Sequence, residues 1–303
     1  MVNQTGFTLR WRTSTSTTSR IRYGTDPQSL NQDVNSPNPT TEHELRVTGL
    51  QPDTRYYYQV ETATDTIAGP HSSHYVKTLP PVGTVRRFHF WAMGDFGDGS
   101  VKQRQVLDML KTHPMGRQPD AWLFLGDNAY GDGTQQQFQD YFFNIYDTLL
   151  RNTNFLITPG NHDYGSIDLF NNGPYFDMFT LPRNGECGGT PSGQEGWYSY
   201  DIGNVHIATV NSEYRLGLIN TSSAMIQWLR NDLRNTTQPW KIVFMHKPPY
   251  SKGTHDSDDN GAAISEYAQF RIYLAKAQLR ATLPQRKTQI NPQPEYTQTS
   301  SRI

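Results

Sequence analysis

The hydrophobic pattern of this chain changes its period once, across Thr78-Leu79-Pro80-Pro81-Val82-Gly83, so two architectures must lie on either side. Before that point apolar residues alternate with polar ones, as in Phe7, Leu9 and Trp11, Ile21 and Tyr23, Leu45 and Val47, and Tyr56, Tyr58 and Val60. A period of two is that of a half-buried strand. Turn-forming clusters at Gly24-Thr25-Asp26-Pro27, Asn35–Pro39 and Gln51-Pro52-Asp53 divide these segments, and no helical period intervenes. Residues 1–78 therefore read as an all-β sandwich. From Leu50 to Tyr58 a turn precedes a tyrosine-bearing strand, the arrangement of a tyrosine corner, which makes the unit immunoglobulin- or fibronectin type III-like. Its clear strands number about five against the usual seven of that architecture, so the opening strand is expected to be absent from this chain.

Residues 79–87 form a linker, because paired prolines cannot continue a central strand. Beyond it the apolar residues gather into short runs of strand length: Arg87–Ala92, Ala121–Leu125, Phe155–Thr158, Val205–Val210 and Lys241–Met245. Helical spacings lie between several of them. Val101–Lys111 is expected to place Val106, Leu107 and Leu110 on one side, and Met225, Trp228, Leu229 and Leu233 form a second such row. Strands alternating with helices predict an α/β domain over residues 88–261.

Composition removes several classes of function. The 27 Lys and Arg against 28 Asp and Glu leave a net charge of -1, which argues against a surface made to coat nucleic acid. No apolar run has the length of a membrane span, and the first residues carry neither the charge nor the apolar stretch of a signal peptide. The single cysteine, Cys187, rules out an intrachain disulfide and any cysteine-rich metal site. Chemistry is left to His, Asp, Asn and Tyr.

Those residue types cluster where the apolar runs end. One run leads to Gly94-Asp95-Phe96-Gly97, the next to Gly126-Asp127-Asn128-Ala129-Tyr130, and the third to Gly160-Asn161-His162-Asp163. A fourth carries Val243-Phe244-Met245-His246. Ligands of open α/β sheets bind outside the carboxyl ends of the strands, so Asp95, Asp127, Tyr130, Asn161, His162 and His246 are expected on one rim. Oxygen and imidazole donors suit iron, zinc or manganese. Two such ions clamped side by side serve phosphoryl transfer, with a shared carboxylate setting their separation. No phosphate-binding P-loop and no Gly-x-Ser-x-Gly elbow is present, which disfavours nucleotide-dependent transfer and serine hydrolysis.

The ordered motifs GDxG, GDxxY, GNHD and VxxH resemble those of the metallophosphoesterase (calcineurin-like phosphoesterase) superfamily, and the tyrosine of GDxxY narrows the resemblance to purple acid phosphatases. The preceding β-sandwich is similar to the N-terminal domain of that family, and the likeness extends over about residues 5–261. It implies a β-sandwich core flanked by helices. It also implies a ferric ion held by Asp95, Tyr130 and the bridging Asp127, and a divalent partner (iron, zinc or manganese) held by Asp127, Asn161 and His246. His162 would then touch substrate or leaving group. The implied reaction is hydrolysis of phosphate monoesters by a hydroxide bound at the binuclear centre, with a phosphodiesterase of the same superfamily as an alternative. The family commonly works in secreted or periplasmic settings.

One motif of that family, GHxH, has no counterpart here. The nine histidines end at His255, and no two are separated by a single residue. Residues 262–303 contain six basic residues against two acidic ones, with no Gly, Asp or His and with six Gln. This reads as a divergent, frame-shifted or disordered tail behind an incomplete catalytic domain. The expectation that follows is a weakly active or inactive remnant, acting at most as a binding module. If a frame shift lies near Gly261, another reading frame should encode an apolar strand ending in GHxH. Outside the motifs, His89 and His206 lie in apolar runs and read as structural, His255 reads as an exposed loop residue, and Cys187 reads as a free loop thiol. Asn3-Gln4-Thr5, Asn220-Thr221-Ser222 and Asn235-Thr236-Thr237 fit the glycosylation pattern.

Overall fold

A computed structural model describes residues 1–113, 118–165, 172–213 and 222–248. The expectations for His255, for Asn220-Thr221 and for residues 262–303 lie outside them. The first unit contains β1 (Gly6–Gly24), β2 (Gln32–Thr48), β3 (Arg55–Glu61), β4 (Thr66–Ala68) and β5 (Tyr75–Lys77). They join in one antiparallel sheet ordered β2-β1-β3, with β4 and β5 both pairing with β3. The alternating residues point inward as their spacing requires. Phe7, Ile21, Tyr23, Leu45, Val47, Tyr56, Tyr58 and Val60 are all buried. The Tyr56 hydroxyl accepts the Gln51 N–H at 3.0 Å, which closes the tyrosine corner ahead of β3.

Two details of this unit differ from the sequence reading. The segments at Phe7–Trp11 and Ile21–Tyr23 belong to one long strand, β1, rather than two. Asn35–Pro39 is not a turn between strands but part of β2. Among the described strands β2 is outermost, so Pro37 and Pro39 withhold no N–H from a neighbour on the far side. On the near side the pairing with β1 slips there: Thr17 faces Thr40 and Ser19 faces Ser36, so β2 bulges through residues 37–39.

The second unit has two three-stranded sheets. In one, β6 (Phe90–Met93), β7 (Ala121–Phe124) and β8 (Phe155–Ile157) run parallel in that order. In the other, β10 (Val205–Thr209) lies between β11 (Trp240–Phe244), to which it is parallel, and β9 (Tyr198–Ile202), to which it is antiparallel. Every residue of β7 and β10 is buried; β7 is apolar throughout, and β10 is apolar but for His206 and Thr209. The β9 strand also has a period of two, with Tyr198, Tyr200 and Ile202 alternating with Ser199 and Asp201, yet its polar Ser199 is buried as well. The Ser199 hydroxyl is satisfied by Asp232 Oδ1 at 3.0 Å.

Helix α1 (Val101–Thr112) links β6 to β7. It is capped by Ser100, whose hydroxyl accepts the Gln103 N–H. Its buried side differs from the expected one: Leu107 and Gln103 are inside, while Val106 is about half exposed. A glutamine can occupy the core here because its amide is saturated. It accepts Gly99 N–H at 2.7 Å and donates to Tyr141 O at 2.7 Å and to the Tyr146 hydroxyl at 3.2 Å. Between β7 and β8 lie α2 (Gln135–Gln137), a π-helical turn (Phe138–Phe143) and α3 (Asn144–Leu150). From this stretch Tyr146 meets Trp122 of β7 edge-on, with ring centres 5.2 Å apart. After the short α4 (Pro174–Met178), α5 (Ala224–Asn235) packs Met225, Ile226, Trp228, Leu229 and Leu233 against Ala208 and Val210 at β10. No helix among the described residues is long and apolar enough to cross a membrane.

The two sheets are bound together at β8. The Tyr198 hydroxyl from β9 accepts Ile157 N–H at 2.8 Å and donates to Ile157 O at 2.7 Å, so a strand edge is satisfied by a side chain of the facing sheet. The two units share one buried cluster, which contains Val2 and Tyr58 from the first, Leu79 from the linker, and Cys187, Tyr200 and Ile202 from the second. Cys187 is a free loop thiol, as its sequence surroundings predict, and it is buried in this junction. Its thiol donates to Val2 O at 3.3 Å, and burial pushes its pKa up to about 12. Parallel β6, β7 and β8 in one sheet and β11 in the other end on the same side, which is where the polar motifs begin.

Candidate metal centre

The loops after β6 and β7 are stitched to each other. Asp95 donates its N–H to Gly126 O at 3.1 Å, and Tyr130 donates its N–H to Gly97 O at 2.7 Å. Both Asp95 (φ 55°) and Asp127 (φ 53°) adopt the left-handed backbone region, which aspartate tolerates better than most residues. Gly126, at φ 93°, lies between strand and carboxylate. A Cβ there would come within 2.6 Å of His246 Cβ, so the absence of a side chain is what admits the imidazole.

Asp95, Asp127 and His246 each bring a donor atom within 4.8 Å of the other two. The Tyr130 hydroxyl donates to Asp95 Oδ1 at 3.2 Å, and His246 Nε2 lies 3.2 Å from Asn161 Oδ1 and 3.5 Å from Asp127 Oδ1. The structure thus brings five of the six sequence-predicted residues into direct contact. The sixth, His162, is beside them. Its N–H donates to Asp127 Oδ1 at 3.0 Å, its ring lies 4.6 Å from that of Tyr130, and its Nδ1 donates to Gly131 O.

The proton positions bear on what this group of donors can hold. His246 Nδ1 is 3.0 Å from Leu125 O, and a carbonyl only accepts, so Nδ1 carries the proton. In the neutral ring Nε2 then turns a lone pair toward a carboxylate oxygen and an amide oxygen. Three acceptors facing one another repel; a cation among them converts the repulsion into coordination. The donor set therefore fits a metal. Tyr130 fits as well. Partial burial first, and then the charges of Asp127 and Asp95, hold its phenol pKa well above the usual range, a balance that a bound cation reverses.

Asp163 closes the GNHD motif, and the donor pattern assigns it no part in the centre. It is fully buried and accepts the main-chain N–H groups of Asn128, Ala129 and Gly160 and the side-chain amide of Asn128. Burial raises its pKa to about 7 against those donors. His206, read as structural, is buried between Asp201 and Asp232 at 2.8 Å from each, on the amino-terminal side of β10 and away from the motifs. A cleft of about 630 Å³ opens between the two units beside Arg55, Tyr75, Arg151 and Phe155, and none of the six site residues lines it.

The calcineurin-like phosphoesterase family model matches residues 88–275, and that of the purple acid phosphatase N-terminal domain matches residues 1–78. The chain belongs to the calcineurin-like phosphoesterases and carries the N-terminal domain of purple acid phosphatases. Among relatives of this family, purple acid phosphatase 21 of Arabidopsis thaliana is 28% identical over 215 residues, which cover 69% of this chain and 44% of that one. The Fe(3+)-Zn(2+) purple acid phosphatase 12 of the same plant is 26% identical over 230 residues, covering 70% of this chain and 44% of the relative. The chain spans about half the length of the curated relatives it matches. In fold it is similar to the purple acid phosphatase PPD1 from yellow lupin (Lupinus luteus) seeds, with a TM-score of 0.63 at 15% identity over 82% of this chain and 50% of that one.

Proposed function

We propose that this chain hydrolyses phosphate monoesters at a binuclear metal centre. The observation that carries the reading is the convergence of Asp95, Asp127 and His246 donor atoms within 4.8 Å. In this reading Asp95, Tyr130 and Asp127 would hold Fe(III), while Asp127, Asn161 and His246 would hold a divalent iron, zinc or manganese. The Fe(3+)-Zn(2+) type named for a relative supports a mixed pair. When bound, such a pair supplies a water of near-neutral pKa and positive charge against the phosphoryl oxygens.

The chain's own residues do the positioning. The His162 N–H fixes one oxygen of Asp127 and so sets the carboxylate plane. His162 Nδ1 donates to Gly131 O, so Nε2 can steady a phosphoryl oxygen or give a proton to the leaving oxygen when the ring carries a proton on both nitrogens. The test is the protein reconstituted with iron and zinc, assayed at acid pH on nitrophenyl phosphate and on its bis-ester. Faster turnover of the monoester supports the reading, and faster turnover of the bis-ester makes the chain a phosphodiesterase.

A second reading rests on the histidine pattern. With no GHxH in the 303 residues, each ion has about three of the protein donors that the resemblance implies. On that reading metal binds weakly and turnover is low. Metal analysis giving well under two equivalents supports it; two tightly held ions with robust turnover overturn it.

A further inference from the structure

A buried network behind the candidate centre is built around Glu213, which belongs to none of the motifs. Glu213 follows β10 and is fully buried, with its Oε2 2.7 Å from Lys247 Nζ. Lys247 is the residue after His246. The Ser212 hydroxyl donates to Glu213 Oε1 at 3.1 Å and accepts the main-chain N–H of Lys247 at 3.1 Å. Asn211 Oδ1 accepts the Glu213 N–H at 3.0 Å, and Asn211 Nδ2 donates to the buried Tyr164 hydroxyl at 2.7 Å. Tyr164 in turn follows Asp163, which is bonded to Asn128 beside Asp127. The loops after β7, β8, β10 and β11 are thereby joined in one hydrogen-bonded chain.

A fully buried carboxylate is unfavourable unless ion-paired and hydrogen-bonded. Glu213 is both, and its partners hold the segment that carries His246 from main chain and side chain at once. Apolar packing of the two sheets does not need a charge at this place. We infer that Glu213 is a positioning residue: through Lys247 and Ser212 it fixes the backbone that sets His246 Nε2 opposite Asp127 and Asn161. This rests on the metal-centre reading above and adds a residue that no donor pattern points to.

The test is Glu213→Gln in the full chain. Lys247 is about 30% exposed in its side chain, so water can take over its ammonium group and the fold should survive. In the metal-free protein the Lys247 amide, now bound to a less constrained Ser212, is expected to exchange its hydrogen about tenfold faster or more. Mn2+ affinity measured by calorimetry is expected to fall about ten- to a hundredfold, as when groups that orient metal ligands are removed. Asp201→Asn, in β9 opposite His206 near the start of β10, is the control for general softening: it should lower the melting temperature and leave Mn2+ affinity unchanged.

Unchanged Lys247 exchange in Glu213→Gln overturns the inference. So does an equal loss of Mn2+ affinity in Asp201→Asn. A wild-type chain that binds no Mn2+, yet shows faster Lys247 exchange on substitution, supports the anchor and counts against the metal centre instead.

Discussion

The Asp163 carboxylate receives both the main-chain N–H of Asn128, at 2.9 Å, and its side-chain amide, at 2.8 Å. Asn128 is the neighbour of Asp127, and Asp163 is two residues from Asn161. One buried carboxylate therefore fixes the relative placement of two candidate ligands that arrive on different strands. Its other bonds, to the N–H groups of Ala129 and Gly160, leave little freedom to either loop.

Replacing Asp163 by Asn puts an amide NH2 among donors that all need an acceptor. Stability is expected to fall by about 2–3 kcal/mol, since breaking a buried network exposes the desolvation penalty of the groups left behind. Urea unfolding of the metal-free protein measures it. A loss under about 0.5 kcal/mol would show that the loops do not depend on this carboxylate.

Gly126→Ala introduces a Cβ within 2.6 Å of His246 Cβ at a backbone φ of 93°. The ring is expected to be displaced from Asp127 and Asn161, with strain of about 1–3 kcal/mol added by the left-handed backbone. Divalent-metal affinity should drop sharply while far-ultraviolet circular dichroism stays native. Wild-type affinity in this variant would show that the contact relaxes without moving the imidazole.

His206 should make stability fall in alkaline solution. Burial alone lowers its pKa, but Asp201 and Asp232 outweigh burial and raise it to about 9. A folded pKa above the unfolded value of 6.5 means the contribution is whole below about pH 6.5 and lost as pH rises through about 9. Its size is at most about 3 kcal/mol, from 1.36 kcal/mol per pKa unit. Unfolding free energies from pH 6 to 10 should show this slope in the wild type and not in His206→Asn. Parallel curves would contradict it.

Tyr130→Phe removes the phenol that donates to Asp95 Oδ1. If the Tyr130 phenol oxygen binds ferric iron, the iron-loaded wild type absorbs visible light through tyrosinate-to-iron charge transfer, and the variant is expected to be colourless at equal iron content. A band of equal intensity in the variant would remove Tyr130 from the ligand set.

Local rules were enough for much of this molecule. The period-two alternation of the first unit, the strand-length apolar runs of the second and the helical rows at Val101–Lys111 and Met225–Leu233 each follow from neighbours in sequence. Backbone geometry acts over the same short range. The motif carboxylates and amide adjoin Gly94, Gly126 and Gly160 because a strand must turn sharply there, and such turns can be read without knowing what faces them.

What the tertiary structure decided are the properties set by distant partners. Pro37 and Pro39 remain in β2 because nothing described pairs with its far side, and Gln103 replaces Val106 inside because Gly99, Tyr141 and Tyr146 saturate its amide. Ser199 and His206 are buried because Asp232, from α5, reaches both. In the sequence Glu213 lies in no motif, and Asp163 only closes GNHD. Their weight comes from donors brought to them by other strands, for a buried charge is tolerated only where the fold delivers its hydrogen bonds, and one residue's neighbours along the chain do not specify that delivery.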